Sequence, residues 1–387
     1  MSPTPQQQLT SAFETKKHIS FLLRCLRLLP QPYTSADDQR MTLGYFAVSG
    51  LDLLDSTSKI PLDEKAELIE WVYDQQLPTG GFRGSPSTGP SSSRFAGANV
   101  AMTYAALLIL AVLKDDFARL DRDGLLRFVG ALQDRGGGGF AAEEQTGEDG
   151  VVDRDPRFTY CAVTICSMLG EWGNVDVGKA REYLEGCQRY DGGFGASSVH
   201  EAHSGMTYCC IAALHLLPQD ETTARWGREE EALAWLAHRQ VAPSEEAAMT
   251  TQAQDVAEVS DEEEAELAGG FQGRPNKLPP DVCYSFWNGA ALSLLGQHDL
   301  VDAVADAGYV LSAQSRVGGI AKIPNEHPDL LHTYLGLASL SLHQPDEDGS
   351  GNAEDGDGID FGVKRLDAAW NCSLGANEWL REHLTKQ

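Results

Sequence analysis

The chain has 387 residues, of which 42% are hydrophobic and 22% charged, a composition typical of a soluble globular protein with a large core. Its net charge of −27 argues against a nucleic-acid-binding surface, and no apolar run is long enough for stable insertion into a membrane. The first residues lack the basic and apolar regions of a secretory signal. Eight cysteines, several of them within apolar runs, favour buried reduced thiols and a cytoplasmic location.

The negative charge is concentrated in two segments. Residues 242–268 contain nine acidic residues and residues 344–362 contain seven, and neither segment contains a Lys or an Arg. Phe361 is the only aromatic residue in either of them, so neither can bury much apolar surface. We therefore predict two disordered acidic insertions in a single domain that spans residues 1–387. Docking of basic partner tails is the alternative role for these segments.

Taken in order, the chain repeats a phrase in which Gln precedes a Gly-Gly pair and an aromatic or aliphatic residue. The five copies end at Phe82, Phe140, Phe194, Phe271 and Ile320. Each copy is followed by an apolar run with a tyrosine near its start, at Tyr104, Tyr160, Tyr208, Tyr284 and Tyr334. The intervals between these tyrosines are 56, 48, 76 and 50 residues, and leaving out the 27-residue acidic segment shortens the third to 49. Such a period indicates a structural repeat.

More polar, amphipathic segments lie between the apolar runs, at residues 63–76, 121–133, 177–188, 228–240 and 300–314. Each repeat is therefore predicted to be two helices, one nearly all apolar and one half polar. An earlier apolar run around Phe46 completes six pairs. We predict an all-α fold in which six helical hairpins close into an α/α toroid, with the apolar helices inside. An open solenoid is the alternative, but the repeats use up the chain and leave no polar capping repeats.

In a toroid, the starts of the inner helices meet at one rim. That rim would gather Arg157, His203, residues 281–284 and His332. The side chains that face the central cavity would be Phe46, Tyr104, Tyr160, Tyr208 and Trp287. A funnel with cations above aromatic side chains suits a ligand that has a long apolar tail and an anionic head.

The most informative segment is residues 269–289, GGFQGRPNKLPPDVCYSFWNG. Its two prolines exclude a helix before Asp281, which is then a natural N-cap, and Cys283 falls in the first helical turn, where the helix dipole favours a thiolate. His332 opens the last inner helix 49 residues after Cys283, at the same phase of the repeat. If the ring closes, these three residues form a zinc site with an open fourth position, which is typical of catalytic zinc. A capping Asp, a buried Cys and a surface His are the plainer alternative.

Four further residues suit an anion. His203, Arg274, Lys277 and Lys322 fall near glycine-rich corners or at the starts of inner helices. A guanidinium fork and lysine point charges beside such turns would suit a diphosphate. Each of them alone could be a solvated surface charge. Their matching phases in the repeat favour one shared site.

The stretches GGFQGRPNKLPPDVCYSFW, EAHSGMTYC, DPRFTYCA and GGIAKIPNEHPDLLHTY resemble the β subunit of a protein prenyltransferase, in order and over residues 15–343. The resemblance implies an α/α toroid that pairs with a helical-repeat α subunit. It also implies transfer of an isoprenoid from its diphosphate to a C-terminal cysteine. By motif, the zinc ligands would be Asp281, Cys283 and His332.

The resemblance also assigns the other site residues. The diphosphate contacts would be His203, Arg274, Lys277, Tyr284 and Lys322, with Lys322 among the catalytic residues. The isoprenoid contacts would be Thr42, Phe46, Arg157, Tyr160, Tyr208 and Trp287. The pocket for the last residue of the acceptor would be formed by Thr42, Asn99, Ala101 and Phe158.

Within the family, IAK followed by HPDLLH resembles the type I geranylgeranyltransferase. Farnesyltransferase has an aspartate in this corner that helps to hold magnesium, whereas this chain has Lys322, whose ammonium would make magnesium unnecessary. Thr42 stands where farnesyltransferase places a tryptophan, which leaves room for a geranylgeranyl chain. The implied substrates are geranylgeranyl diphosphate and small GTPases of the Rho and Rac type that end in Cys-a-a-X, where X is often Leu.

This sequence departs from the family pattern in three places. A second proline, Pro280, lies between Lys277 and Asp281. The family's His-Gly-Gly reads His-Ser-Gly here, with Ser204 in the middle. Asn99 stands where a histidine usually lies in the acceptor pocket, which bears on the preference for leucine.

Several alternatives stay open. The farnesyltransferase β subunit is the main one, followed by the Rab-directed type II β subunit. Lys322 argues against the farnesyltransferase subunit, and the motif HPDLLH argues against both of these subunits. A terpene cyclase shares the Gln and glycine corners, but it would need an acidic proton donor in the cavity, and the acidic runs of this chain lie in the two insertions. A pure binding module would leave the Asp, Cys and His set without a purpose.

Overall fold

The computed structural model describes residues 3–88, 97–144, 154–219, 226–242, 268–277, 279–345 and 358–385. The helices of this part are α1 (Pro5–Ala12), α2 (Thr15–Arg27), α3 (Arg40–Leu53), α4 (Leu62–Tyr73), α5 (Val100–Val112), α6 (Arg122–Leu132), α7 (Pro156–Leu169), α8 (Val177–Gly186), α9 (Ser204–Leu216), α10 (Glu229–Ala237), α11 (Val282–Leu294), α12 (Ala303–Ser312), α13 (Leu330–Leu342) and α14 (Leu374–His383). Short 3-10 helices lie at Gln31–Gln39, Thr57–Lys59, Pro86–Thr88 and His298–Leu300.

Two short antiparallel hairpins complete the described secondary structure. The first pairs β1 (Ile320–Ala321) with β2 (Pro328–Asp329), with Ile320 opposite Asp329. The second pairs β3 (Leu366–Asp367) with β4 (Cys372–Ser373). The first hairpin ends directly at the start of α13, so it fixes how that helix enters the barrel.

Six helices form a closed inner ring. In order around the ring, α3 packs against α5, α5 against α7, α7 against α9, α9 against α11, α11 against α13, and α13 against α3. The last contact closes the circle, so the prediction of an α/α toroid rather than an open solenoid is confirmed. The more polar helices α2, α4, α6, α8, α10 and α12 each pack outside the inner helix that follows them in the chain.

Each corner is held by the repeated glutamine. The side-chain amide of Gln188 donates to the carbonyl oxygens of Gly192 (2.9 Å) and Arg228 (2.9 Å), which ties the corner to the start of the next outer helix. Its backbone pairs with that of Phe194, whose N–H donates to the hydroxyl of Thr207 on α9 (3.0 Å). The same bridge recurs at the other corners, as Gln76 with Phe82, Gln133 with Phe140, Gln240 with Phe271 and Gln314 with Ile320. The phrase found in the sequence is therefore the joint between successive repeats.

The last corner joins the first repeat. The side-chain oxygen of Gln314 accepts a hydrogen bond from the backbone N–H of Glu14 (3.0 Å), just before α2. His18, which is fully buried on α2, bridges Gln314 and the backbone N–H of Gly319. The seam of the ring is thus made by the same joint that links its other repeats.

A layer of aromatic rings crosses the barrel. The hydroxyls of five buried tyrosines donate to carbonyl oxygens of residues 368–371, at distances of 2.6–2.9 Å; they are Tyr45, Tyr104, Tyr160, Tyr208 and Tyr334. A buried phenol needs such an acceptor, and the C-terminal segment supplies it inside the barrel. In the fifth inner helix this position belongs to Phe286, whose ring lies 5.1 Å from that of Tyr208. Assigning Tyr284 to the tyrosine register was therefore wrong by two residues.

The bounds of the second acidic insertion need correction. Of the predicted insertion 344–362, residues 346–357 lie outside the described residues. Residues 358–362 are part of the fold, because Ile359 donates its N–H to the carbonyl of His343 (2.8 Å) and Phe361 packs against Phe13. For the first insertion, predicted at 242–268, residues 243–267 lie outside the described residues. Within the described part of the chain, no helix is long and apolar enough to cross a membrane.

Candidate active site

Two candidate metal ligands lie at the start of α11. Asp281 is the N-cap of this helix, and its carboxylate oxygen Oδ1 accepts the backbone N–H of Cys283 (2.9 Å), as the sequence predicts. The backbone N–H of Asp281 donates to the carbonyl of Phe271, which anchors the helix start to the glycine-rich corner. Both side chains are buried, with 6% of Asp281 and 8% of Cys283 exposed. An N-cap bond therefore holds the carboxylate and the thiol on the same helix end.

The third candidate ligand is His332, in the first turn of α13. Asp329, the N-cap of α13, accepts both the backbone N–H (2.9 Å) and the ring Nδ1–H (2.6 Å) of His332. This pair of bonds leaves the ring nitrogen Nε2 directed at Asp281 Oδ1, 3.2 Å away. A carboxylate behind a histidine in this way orients the ring and makes it a better ligand.

The closed ring brings the three ligands together. One ligand atom from each of Asp281, Cys283 and His332 lies within 4.8 Å of the other two. The oxygen, sulfur and nitrogen donors form a mixed set that suits a tetrahedral zinc ion. The fit follows from the ring contact between α11 and α13, since the residues are far apart in sequence.

Burial and mutual contact shift the pKa values of these three side chains. Burial lowers the pKa of His332, but its hydrogen bonds to Asp281 and Asp329 outweigh burial and raise that pKa to about 9. Burial raises the pKa of Asp281, yet the bond and charge of His332 hold it below its usual range. Burial, followed by the charge of Asp281, raises the pKa of Cys283 well above its ordinary value. The helix dipole, which favours a thiolate, is therefore opposed by burial and by the charge of Asp281, and a metal must displace protons to bind here.

The side chains of α9 and α11 meet beside the metal ligands. His203 caps α9, and its Nδ1 accepts the backbone N–H of Gly205 (3.1 Å). Burial and then the charges of Arg274 and Lys277 lower the pKa of His203 to about 4, so the ring is neutral. Its proton therefore lies on Nε2, which donates to the Tyr284 hydroxyl oxygen (3.2 Å). The hydroxyl proton of Tyr284 is then left to donate to a ligand.

Cationic side chains flank this pair. Arg274 lies 3.3 Å from the carboxylate of Glu201, and its Nε is buried without a hydrogen-bond partner. Lys277 is exposed in the same glycine-rich corner. On the other side, Lys322 Nζ lies 3.9 Å from Asp281 Oδ2, and its backbone carbonyl accepts the N–H of Val282. The cations predicted from sequence thus lie along an arc around the start of α11.

The predicted lipid contacts fall at two depths. Phe46 and Trp287 are partly exposed within the first two turns of their helices, directly above the aromatic layer. Tyr160 and Tyr208 lie in that layer, with their hydroxyls bonded to the C-terminal segment. Arg157 is bonded through its guanidinium to the buried carboxylate of Asp155. The predicted lipid contacts therefore include two buried rings of the aromatic layer and two partly exposed rings that pack against it.

The residues predicted for the acceptor pocket lie at the starts of α3, α5 and α7. Thr42 contacts the sulfur of Met102 (3.2 Å). Asn99 caps α5, and its amide nitrogen donates to the carboxylate of Glu143 (3.1 Å). Ala101 and Phe158 are partly exposed on the neighbouring helix starts. The pocket predicted from sequence is therefore on the opposite side of the ring from the arc of cationic side chains.

Several residues with a place in this site were missed from the sequence. Asp329 orients His332, and Glu201 holds Arg274. Ser204 donates to the carbonyl of Gln272 and to the side chain of Asn288, which joins α9 to α11 behind the site. The motif HPDLLH places Asp329 three residues before His332, so the sequence could have predicted Asp329 as the N-cap of this helix. The other contacts depend on residues from different repeats.

Comparisons with known proteins agree with this architecture. The family model "Prenyltransferase alpha-alpha toroid domain" matches residues 13–372. The chain is 35% identical over 364 residues to the geranylgeranyl transferase type-1 β subunit of Arabidopsis thaliana, with 88% of both chains covered. It is 32% identical over 359 residues to the same subunit of Dictyostelium discoideum, with 86% of this chain and 91% of the relative covered.

A solved structure extends the likeness to three dimensions. The Candida albicans protein geranylgeranyltransferase-I complexed with GGPP matches with a TM-score of 0.80 and 25% identity, covering 96% of this chain and 99% of that chain. The protein therefore belongs to the prenyltransferase α-α toroid family. Within it, these two relatives, both above 30% identity, group the chain with the β subunits of type-1 geranylgeranyl transferases.

Proposed function

We propose that this chain is the catalytic β subunit of a zinc-dependent enzyme that transfers a geranylgeranyl group from geranylgeranyl diphosphate to a C-terminal cysteine thiol. The observation that carries the proposal is the meeting of Asp281, Cys283 and His332 beside the His203–Tyr284 pair, at the end of the barrel where the inner helices begin. Ligand groups for a thiophilic metal, donors for an anion and apolar surface for a lipid therefore adjoin one another.

Zinc is the metal proposed for this site. The donor set fits it, because zinc accepts sulfur, nitrogen and oxygen ligands together and tolerates an open fourth position. Bound there, zinc would supply a Lewis acid that lowers the pKa of the acceptor thiol. Asp281, Cys283 and His332 would hold it, with Asp329 keeping the His332 ring in the ligating orientation.

The remaining residues act on the diphosphate. As the acceptor sulfur forms its bond to C1 of the isoprenoid, the C1–oxygen bond breaks and negative charge develops on the departing diphosphate. The Tyr284 hydroxyl, whose oxygen already accepts a hydrogen bond from His203, would donate a hydrogen bond to that charge. Arg274 and Lys277 supply positive charge from the glycine-rich corner. Fixed donors of this kind need no rearrangement when the charge appears.

Lys322 takes the place of magnesium in this proposal. Its ammonium lies 3.9 Å from Asp281 Oδ2, and its main-chain carbonyl accepts the N–H of Val282 at the start of α11. A fixed positive charge there would stabilise the leaving diphosphate without a second ion.

The proposal extends to partners and location. An α subunit would pair with this chain and complete the acceptor site, and the acceptors would be small GTPases of the Rho and Rac type ending in Cys-a-a-X. The relatives' names, as type-1 β subunits, support this assignment. The eight cysteines are all buried and unpaired, which is usual in cytoplasmic proteins.

The test is a metal analysis and a single-turnover transfer assay on the chain co-expressed with a candidate α subunit. A peptide ending in Cys-a-a-Leu is offered geranylgeranyl or farnesyl diphosphate, with and without magnesium. We expect one zinc ion bound by Asp281, Cys283 and His332, and geranylgeranyl transfer that needs no magnesium. Magnesium-dependent farnesyl transfer would show a farnesyltransferase instead. Zinc content unchanged in Cys283→Ser would refute the ligand assignment.

A further inference from the structure

A buried tyrosine of an outer helix contacts the segment that enters α11. Tyr309 belongs to α12, and only 2% of it is exposed. Its hydroxyl donates to the main-chain carbonyl of Pro280 at 2.7 Å. Pro280 is itself buried and immediately precedes Asp281, the N-cap of α11. The phenol of Tyr309 therefore bonds to the residue just before a candidate metal ligand.

The peptide group that joins Pro280 to Asp281 is bonded on both sides. Its carbonyl accepts the Tyr309 hydroxyl, and its N–H donates to the carbonyl of Phe271 at 3.2 Å. A buried peptide group cannot rotate without breaking these bonds and leaving polar atoms unpaired, which is costly. Because the orientation of this group sets φ of Asp281, the two bonds fix the direction in which the Asp281 side chain leaves the backbone.

The direction of the Asp281 side chain decides how the three candidate ligands meet. Its Oδ1 accepts the backbone N–H of Cys283 (2.9 Å) and lies 3.2 Å from Nε2 of His332. A metal site requires its ligand distances to lie within about 0.2 Å of their usual values. A small rotation of the peptide group before Asp281 would therefore change the fit of the whole set.

The ring of Tyr309 has a packing role that other repeats share. Tyr309 is the seventh residue of α12, and the seventh residue is also aromatic in α2, α6, α8 and α10, as Phe21, Phe128, Tyr183 and Trp235. In each of the five helices, a Cβ on the second glycine of a corner would come within 3.0 Å of this ring. Phe21 and Phe128 fill the position without a hydroxyl, so the packing needs only the ring. The hydroxyl of Tyr309 therefore serves a different purpose.

Tyr183 makes the equivalent bond in another repeat. Its hydroxyl donates to the carbonyl of Arg154 (2.9 Å), the residue just before Asp155, which is the N-cap of α7. The carboxylate of Asp155 is bonded to the guanidinium of Arg157. The chain thus contains two matching hydroxyls, one behind a candidate metal ligand and one behind a carboxylate that is paired with an arginine.

We propose that Tyr309 is a positioning residue of the metal site. Its hydroxyl holds the peptide group before Asp281 in the orientation in which this carboxylate binds zinc. The inference rests on the proposed zinc site and adds a residue that acts on it through the backbone. Asp329 acts on His332 through the side chain instead, so the two residues support different ligands.

The test is Tyr309→Phe, which removes the hydroxyl and keeps the ring. Tyr183→Phe is the matched control, because it removes a hydroxyl from the same position of α8. Each variant is co-expressed with a candidate α subunit, and its zinc affinity is measured by competition with a chelator. We expect the affinity of Tyr309→Phe to fall by about tenfold, the lower end of the range for residues that support a metal ligand. The affinity of Tyr183→Phe is expected to equal that of the wild type.

Two further measurements separate positioning from stability. Cobalt(II) in place of zinc is expected to show thiolate-to-metal charge transfer from Cys283 in the wild type and in both variants. Its ligand-field bands, which depend on coordination geometry, are expected to shift only in Tyr309→Phe. Urea unfolding of the metal-free proteins is expected to show similar losses of stability in the two variants, because each loses one hydrogen bond to a main-chain carbonyl.

Wild-type zinc affinity and an unshifted cobalt spectrum in Tyr309→Phe would overturn the positioning role and leave the zinc site standing. An equal loss of zinc affinity in both variants would also overturn it, because the effect would then be one of general stability. A wild-type chain that binds no zinc, or that binds zinc equally well as Cys283→Ser, would refute the proposed metal centre and with it this role of Tyr309.

Discussion

Asp329 and His332 show how much of a site can depend on one capping residue. The two carboxylate oxygens of Asp329 accept the backbone N–H and the Nδ1–H of His332, so one side chain starts α13 and sets the tautomer of a ligand. The remaining nitrogen is thereby left to face Asp281, the neighbouring candidate metal ligand. Asp329 therefore both caps the helix and positions the candidate metal ligand.

The variant Asp329→Asn separates these two roles. Asparagine is as good an N-cap as aspartate, so the helix is expected to form. Asparagine places a neutral amide behind His332 in place of the carboxylate, so the ring loses its charged hydrogen-bond partner. Zinc affinity is therefore expected to fall by about 10–100-fold. Competition with a chelator measures the affinity. The control is Asp302→Asn, because Asp302 caps α12 in the same way and accepts the N–H of Ala305. Equal zinc affinity in the two variants would contradict the positioning role of Asp329.

Lys322 is the residue that decides the metal requirement of the proposed reaction. Its ammonium is more than half exposed and lies near Asp281 rather than in a tight ion pair, so it is available to an anionic ligand. The backbone bond from Val282 positions the main chain of Lys322 beside the start of α11.

Removing the Lys322 charge is expected to expose a need for magnesium. Lys322→Ala should lower the single-turnover rate by ~10²–10³-fold, as loss of one fixed donor to a developing anion does, and added magnesium should restore part of it. The measurement is the rate over a magnesium titration. Lys59→Ala, which removes an exposed charge on another part of the chain, is the control. No recovery at any magnesium concentration would show that Lys322 does not replace the ion.

At the scale of elements, the corners decide how the repeats stack. The first glycine of each corner pair lies against the backbone of the next outer helix. The second glycine packs against an aromatic ring of that same helix. At Gly192, φ is +100° and a Cβ would collide with the carbonyl of Glu231 on α10. At Gly193, a Cβ would lie 2.6 Å from the ring of Trp235. The Gly-Gly pair is therefore needed both for the turn and for close approach.

Gly192→Ala is expected to prevent normal docking of α10. The backbone strain and the collision together should cost more than 1 kcal/mol, on the order of the 1–3 kcal/mol for a strained residue, and lower the yield of folded protein. Gly186→Ala, at the end of α8, meets open space and should be neutral or stabilising by about 0.5–1 kcal/mol. Urea unfolding of the two variants at equal concentration gives the comparison. A Gly192→Ala protein as stable as Gly186→Ala would contradict the close packing.

At the scale of the whole molecule, one histidine seals the ring. His18 accepts the N–H of Gly319 at Nδ1 (3.1 Å) and donates from Nε2 to Gln314 (2.8 Å), so it joins the first repeat to the last corner as a neutral ring. Burial lowers its pKa below the ordinary value of 6.5, although the bond to Gln314 acts the other way. Protonation would remove the acceptor that holds Gly319.

This seam should make the fold sensitive to acid. Because the pKa of His18 is lower in the folded state, the unfolded state takes up a proton first as the pH falls, and the stabilisation is full above pH 6.5 and lost below it. One such group changes the free energy of unfolding by up to about 1.4 kcal/mol per pH unit. His18→Gln should be less stable at neutral pH and lose that share of the pH dependence. The measurement is the free energy of unfolding as a function of pH, with His215→Gln, which removes an exposed histidine on α9, as the control. If His18→Gln kept the same pH dependence as the wild type and the control, the role of His18 would be rejected.

Much of the architecture was predictable from the spacing of glutamines, glycines and tyrosines, because each repeat uses the same joint. The fifth repeat was misread by two residues: Tyr284 and Phe286 are both aromatic, and only packing shows which of them joins the layer. The pKa of Cys283 depends on burial and on the nearby Asp281 as well as on the helix dipole, and of these only the dipole can be inferred from sequence.

The amino-acid sequence by itself determined the repeat, the alternation of inner and outer helices, and the identity of the three metal-ligand candidates, because these depend on local periodicity and motif. Only the tertiary structure decided that the ring closes, that residues 368–371 accept the tyrosine hydroxyls, and that Tyr309 bonds to the carbonyl of Pro280. These contacts join residues from different repeats. Their geometry depends on how the helices pack, and no local pattern in the chain encodes it.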